Sequence, residues 1–390
     1  MTDLPQTHLD FARTSEAWLE LRRMMPCAEK WAYFDHAAVA PISAPARAAL
    51  VEWANDLAEN GCADWPAWAQ ELEQVRRRGA ELISADTDEI ALVRNTTEGI
   101  NLVAEGFPWQ PGDNVVVPAD EFPSNLYPWM NQASRGVEVR RVPVEEGRVD
   151  LDRIAATCDA RTRIVAISWV GYASGWRNDV DALVALAHAR GALLFLDAIQ
   201  GLGVFPLDVR KTPVDFLAAD GHKWMLGPEG AGLFYLRREH LDRLRPMGVG
   251  WNSVAHSYDF NHIELTLKST AARYEGGTYN MPGLAAFGAS LQLLAEYSTE
   301  QIAARVLAVT DELCERLSAI GAKIVGCRDP RYASGIVSFE LPGRDPLQVR
   351  KECRERKVLV SCRAGRLRAS PHAYCNSGDI DRLIASLEGK

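Results

Sequence analysis

Short apolar runs alternate with helical patterns through the middle of the chain. Runs at 90–93, 114–117, 137–142, 164–168, 193–196, 216–219 and 232–236 read as strands. They are mostly apolar rather than apolar at every second position, as expected of strands covered on both faces. Between them lie helical stretches at 97–106, 123–135, 151–158 and 180–189. The first opens on Thr-Thr-Glu, favourable N-terminal residues, and Gly191 stops the last. This alternation predicts an α/β architecture built on a mostly parallel, seven-stranded sheet.

From about Gly283 the pattern changes. Two long amphipathic stretches, 283–297 and 299–320, precede short strands at 336–341 and 367–370 and a terminal helix at 377–387, an α+β pattern. Residues 11–25 are helical in pattern and are expected to pack on this C-terminal part. The expected organisation is a large domain over 29–282 and a small domain from 1–28 and 283–390. No internal repeat or low-complexity linker interrupts it.

Composition narrows the function. At 390 residues the chain exceeds the size at which one core stops growing. A formal net charge of -9 argues against nucleic acid or an anionic membrane as partner, leaving a small molecule. The eight cysteines form no C-x-x-C pair and read as reduced thiols of a cytoplasmic protein. The first ten residues lack the basic and apolar regions of a signal peptide, and no apolar run approaches the roughly 20 residues that span a bilayer. The eight histidines form no H-E-x-x-H or H-x-x-x-H pair, so no metal site is expected.

Candidate chemistry falls at the strand ends, where ligands of open parallel sheets sit. Asp197 follows the run 193–196, and Lys223 follows 216–219 within Gly221-His222-Lys223-Trp224. A lysine able to carry an aldehyde as a Schiff base, with a carboxylate able to hold a pyridine nitrogen protonated, suggests pyridoxal 5'-phosphate (PLP). Gln200 is placed to reach that cofactor's phenolic oxygen. The segment Arg94-Asn95-Thr96-Thr97-Glu98 joins a strand to a helix and offers hydroxyls and free N–H groups to a phosphate. Each feature alone has an ordinary explanation: a buried turn-capping aspartate, a lysine stem covered by tryptophan, Thr96 as a plain N-cap.

Together they resemble the class V aminotransferases of fold type I, which include cysteine desulfurases, selenocysteine lyases, isopenicillin N epimerase-like proteins and kynureninases. The resemblance runs from Tyr33-Phe34-Asp35-His36 to Ser377-Gly378-Asp379 and includes Tyr274-Glu275-Gly276-Gly277-Thr278 and Leu367-Arg368-Ala369-Ser370. It implies Lys223 as the Schiff-base lysine and proton shuttle, Asp197 as the pyridinium partner and Gln200 at the phenolic oxygen. It implies Thr97 with His222 around the phosphate, beside Thr96 at the helix start, and Arg368 on the substrate carboxylate; apart from the resemblance, His36 is a candidate for the substrate side, although a lone histidine is more often structural. Thr278 would reach the neighbouring subunit's phosphate, so a homodimer with shared sites is expected.

The chain departs from the family pattern in several places. Phe122 stands where desulfurases stack a histidine on the cofactor ring, and Tyr172 replaces an asparagine near the phenolic oxygen. Asp220 stands where relatives place serine, and a carboxylate there repels a phosphate unless it is turned away or paired. Only Val360-Ser361-Cys362-Arg363-Ala364-Gly365-Arg366 precedes Leu367-Arg368, so Cys362 falls too close to the strand to match the desulfurases' loop cysteine. Arg363 reads as a solvated ion pair or as the reader of a second acidic group. The expectation is an aminotransferase-like enzyme or a C–S β-lyase acting on an α-amino acid, with an epimerase next and a non-catalytic PLP-binding regulator as the reading from another class. Gly227-Pro228-Glu229-Gly230-Ala231-Gly232 lacks dinucleotide-loop spacing and precedes a strand rather than a helix.

Overall fold

A computed structural model of the chain describes residues 16–389. A short strand, β1 (Ala32–Tyr33), precedes the strands of the large sheet: β2 (Ile90–Val93), β3 (Asn114–Pro118), β4 (Glu138–Val142), β5 (Thr162–Ser168), β6 (Leu193–Asp197), β7 (Phe216–Asp220) and β8 (Gly232–Leu236). Their order is β2-β8-β7-β6-β5-β3-β4, and only β8 runs antiparallel to its neighbours. All seven lie where the apolar runs predict.

The period of two explains why these runs are apolar throughout. Phe195, Phe216, Ala218 and Phe234 enter one core, whereas Leu194, Leu196, Leu217 and Leu233 enter another on the opposite face. Helix Thr96–Gly106 packs on the first face. Gly99 permits that approach, since a Cβ there would lie 2.6 Å from the Ala218 Cβ.

Helix Val180–Ala189 matches its prediction, and Leu151–Thr157 is one residue shorter than expected. The stretch 123–135 is not one helix. It breaks into Pro123–Asn125, Tyr127–Met130 and Asn131–Arg135 because Pro128 has no N–H to give to a continuing helix. Helices Ala44–Asn60 and Trp65–Leu82 were not anticipated; they pack against Met281–Ala295.

The C-terminal strands are β9 (Lys323–Val325), β10 (Val337–Glu340), β11 (Val358–Leu359), β12 (Ser361–Arg363) and β13 (Arg366–Ala369). Four of them form an antiparallel sheet in the order β12-β13-β10-β9, while β11 pairs in parallel with β1. An adjoining bridge, Asp35 to Ser370, carries Asp35 to the end of β13. Helices Thr299–Ala319, Pro346–Glu355 and Ser377–Leu387 complete this part. The described part of the predicted 11–25 helix is Glu16–Arg23, and Arg22 holds Asp379 at 2.6 Å; residues 11–15 lie outside the described residues. Among the described residues no helix is long and apolar enough to cross a membrane.

Candidate active site

Parallel register brings the carboxyl ends of β5, β6 and β7 side by side, with Asp197 opposite Ser168 and Ala218. Above them lies a cavity of about 280 Å³. Thr96, Thr97, Phe122, Tyr172, Asp197, Gln200, His222, Lys223 and Arg368 all line it, joined by Asp220 and Arg363. The fold thus assembles nine of the eleven residues singled out from the sequence.

Asp197 is the last residue of β6 and is buried. Its Oδ1 accepts the Ile199 N–H at 3.2 Å, too little to replace lost water, and burial pushes its carboxyl up to about 6 despite the nearby Lys223. Lys223 is lowered to about 8, mainly by burial, with Asp197 opposing and Arg368 and Arg363 assisting. Its Nζ stands 5.9 Å from the Phe122 ring centroid. That ring is 44% exposed and is held edge-on by Tyr172 at 5.3 Å, leaving its face open. Glu121 lies buried behind it, accepts hydrogen bonds from the Ser168 N–H and hydroxyl, and is pushed up to about 8 by burial.

At the other end helix Thr96–Gly106 points its first turn at the cavity. Asn95, not Thr96, is the cap: its Oδ1 accepts the Glu98 N–H at 2.9 Å. Thr96 Oγ1 instead accepts the Asp220 N–H at 3.0 Å, tying the helix start to β7. The Thr97 hydroxyl meets Ser124 Oγ at 2.8 Å. Asp220 Oδ2 lies 2.8 Å from His222 Nδ1. The alignment there is poor for a hydrogen bond, and among the described residues Asp220 Oδ1 has no hydrogen-bond partner.

The remaining wall comes from the C-terminal sheet. Arg368 is fully buried; its guanidinium donates to the Tyr172 carbonyl at 2.7 Å, Ser361 Oγ at 3.1 Å and Asp35 Oδ1 at 3.3 Å. Arg363 donates to the Cys362 carbonyl at 2.8 Å and has no carboxylate within ion-pair distance among the described residues. Sequence reasoning gave it mainly a solvated surface role; the turn below explains the difference. Ala364 and Gly365 have φ of 48° and 75°, and Arg363 pairs with Arg366, which defines a two-residue hairpin. So tight a turn aims Arg363 inward and leaves no loop. Cys362 points elsewhere, with Sγ 3.2 Å from the Pro346 carbonyl and its thiol raised by burial. Among the described residues no cysteine lines the cavity.

Two predicted residues fall outside it. His36 is fully buried behind Trp224, with Nδ1 at 2.9 Å from the Ser370 carbonyl and Nε2 at 2.9 Å from the Tyr374 hydroxyl, so both ring nitrogens are occupied by the fold. Burial and His372 hold it well below the usual histidine range. Thr278 lines a separate open cleft of about 840 Å³, which shares Asn95 and Thr97 with the cavity.

The cavity fits PLP on three counts: a buried, under-satisfied carboxylate at its floor, a lysine of lowered pKa beside an open aromatic face, and free N–H groups with hydroxyls at a helix start.

A family model, Aminotransferase class-V, matches residues 32–383. A probable cysteine desulfurase of Methanothermobacter thermautotrophicus is 33% identical, covering 97% of this chain and 98% of its own length. Cysteine desulfurase CsdA of Escherichia coli is 30% identical over 81% of this chain and 82% of its own. The cystine C–S lyase C-DES, solved with its product cysteine persulfide, superposes with a TM-score of 0.88 at 24% identity, covering 93% of this chain and 98% of that one. The chain belongs to the class V aminotransferase family and is a PLP-dependent enzyme of fold type I.

Proposed function

We propose that this enzyme is a C–S β-lyase that cleaves a cysteine-type α-amino acid and releases the sulfur without passing it to a cysteine of its own. The observation that carries this reading is the β12–β13 hairpin. Its two-residue turn removes the loop on which a desulfurase's nucleophilic cysteine would ride, and no cysteine among the described residues lines the cavity. The relatives' names supply the sulfur chemistry; the hairpin sets how it ends.

The cofactor, when bound, supplies an electron sink for the carbanion at the substrate's Cα. The chain's own residues do the rest. Lys223, lowered to about 8, is partly neutral near neutral pH and serves as nucleophile, then as the base that takes the Cα proton at Nζ. Asp197 would hold its charge against the pyridine nitrogen's positive charge, and Gln200 would donate to the phenolic oxygen. Phe122 covers the ring. The N–H groups of the first helical turn, with Thr96, Thr97 and His222, would hold the phosphate, and Tyr172 stands edge-on to Phe122 in the same lining.

Arg363 and Arg368 together receive the substrate's carboxylate. Because Asp35 already balances Arg368, this end carries one net positive charge, which suits one carboxylate and a neutral side chain. Loss of the Cβ–S electron pair to sulfur leaves a product that hydrolyses to pyruvate and ammonia. Thr278 of a second copy completes the phosphate site in a homodimer, the cleft it lines opening onto the same helix start. The eight unpaired thiols suit a cytoplasmic enzyme.

Incubation with cystine or cysteine tests the reading: pyruvate and ammonia in equal amounts support it. A keto acid with pyridoxamine phosphate marks transamination instead, and the opposite enantiomer marks epimerisation.

A further inference from the structure

Gln200 has an amide whose two ends are both claimed. Its Oε1 accepts the indole Nε1–H of Trp224 at 2.8 Å, and its Nε2 donates to the Ala37 carbonyl at 3.0 Å. An indole N–H can only donate and a peptide carbonyl can only accept, so each partner disfavours the flipped amide and the two together fix it. One N–H of Gln200 is left, on a side chain that lines the cavity. Without Trp224 only the Ala37 carbonyl would oppose a turn of the oxygen inward, where it would present a lone pair to an anionic ligand atom.

The indole is itself held. The Trp224 carbonyl lies 3.1 Å from His372 Nε2, and its ring stacks at 6.1 Å on His36 and 6.0 Å on His372. Gly335, just before β10, lets the ring in, since a Cβ there would lie 2.4 Å from its Cη2 atom. The ring is fully buried, so its one polar atom is spent on Gln200.

We propose that Trp224 is a positioning residue: its indole N–H locks the Gln200 amide so that the site offers a donor, never an acceptor, to the cofactor's phenolic oxygen. The proposal rests on the reading of Gln200 given above. It also gives the buried aromatic cluster around His36, which touches neither cofactor nor substrate, a role through one hydrogen bond. A donor at that oxygen draws off its negative charge and weakens its hold on the proton of the lysine-bound nitrogen. Losing the donor strengthens that hold.

The test is the pH midpoint of the visible absorption change of the loaded protein, read for Trp224→Phe, Gln200→Leu and the double variant. Trp224→Phe keeps an aromatic ring and deletes the N–H. Gln200→Leu is expected to raise the midpoint by about one pH unit, the size of one hydrogen bond to a charged atom. Trp224→Phe is expected to raise it by about half as much or more, and the double variant to match Gln200→Leu alone. Gly335→Ala, which crowds the indole without changing its chemistry, shifts the midpoint in the same direction and serves if Trp224→Phe does not fold.

If Gln200→Leu moves the midpoint while Trp224→Phe and Gly335→Ala only lower the melting temperature of the cofactor-free protein, Trp224 is merely packing and the proposal is overturned. Additive shifts in the double variant overturn it too. A silent Gln200→Leu removes both the proposal and the placement of Gln200 at the phenolic oxygen.

Discussion

Two buried aspartates sit at opposite ends of neighbouring strands, Asp197 closing β6 and Asp215 just before β7. Asp215 is saturated: Oδ1 receives His240 Nε2 at 2.7 Å, Oδ2 receives His188 Nε2 and the Leu194 N–H, both at 2.8 Å, and these bonds hold its carboxyl below the usual range against burial. Asp197 receives a single backbone N–H and is driven up to about 6. The same residue type at similar depth is thus spent on the fold in one place and left wanting a partner in the other. A buried carboxylate that the protein declines to satisfy marks where a ligand's charge belongs.

The contrast can be broken by mutation. Lys223→Ala, which removes the base at the Asp197 end, is expected to lower turnover by about 10³-fold or more in a pyruvate assay while leaving the thermal transition of the cofactor-free protein nearly in place. Asp197→Asn should cost about 10²-fold in turnover yet leave the cofactor-free protein at least as stable, because it deletes an uncompensated buried charge. Asp215→Asn should do the reverse: activity within a few-fold, and a loss of about 3 kcal/mol in denaturant unfolding, since the amide keeps one acceptor oxygen where His240, His188 and the Leu194 N–H are shared between two.

The pH dependence sharpens the same pair. Asp197 is raised, so its contribution to stability is present below the ordinary value of 3.8 and lost as pH rises through about 6. Cofactor-free Asp197→Asn is therefore expected to exceed the parent in stability at about pH 8, with the gap closing on acidification. Asp215 is depressed, so its contribution is present above 3.8 and lost as pH falls below it. Urea unfolding at several pH values reads both; parallel curves for the two variants would contradict the contrast.

Smaller effects divide the two arginines. Arg363→Gln should raise KM about tenfold at unchanged stability, as it breaks no ion pair. Arg368→Gln should raise KM and also destabilise, because Asp35 is left unpaired. Cys362→Ala is expected to leave sulfur release within about twofold; a loss of 10²-fold or more, the size of a missing nucleophile or base, would restore a desulfurase role.

What the sequence disclosed follows the same division. Strands buried on both faces announce themselves as apolar runs, and Asp197 and Lys223 are legible because strand ends in a parallel sheet converge. Asp215 sits equally close to a strand but at its amino end, away from where ligands gather, and its partners His188 and His240 come from segments that no spacing reports. Arg363 was undervalued because its direction depends on a two-residue turn with Ala364 in the left-handed region, which an alanine rarely signals. His36 looked available until the fold enclosed it between Ser370 and Tyr374. The bond between Trp224 and Gln200 joins residues from different loops, so no spacing reports it.

The proposed chemistry requires the amine of Lys223 to carry the cofactor. Borohydride reduction of the PLP-loaded protein, followed by peptide mass mapping, tests it most directly. Loss of the visible absorbance and a pyridoxyl phosphate mass addition on the peptide containing Lys223 are expected. Labelling of another lysine, or none in a protein that binds and retains PLP, would contradict it.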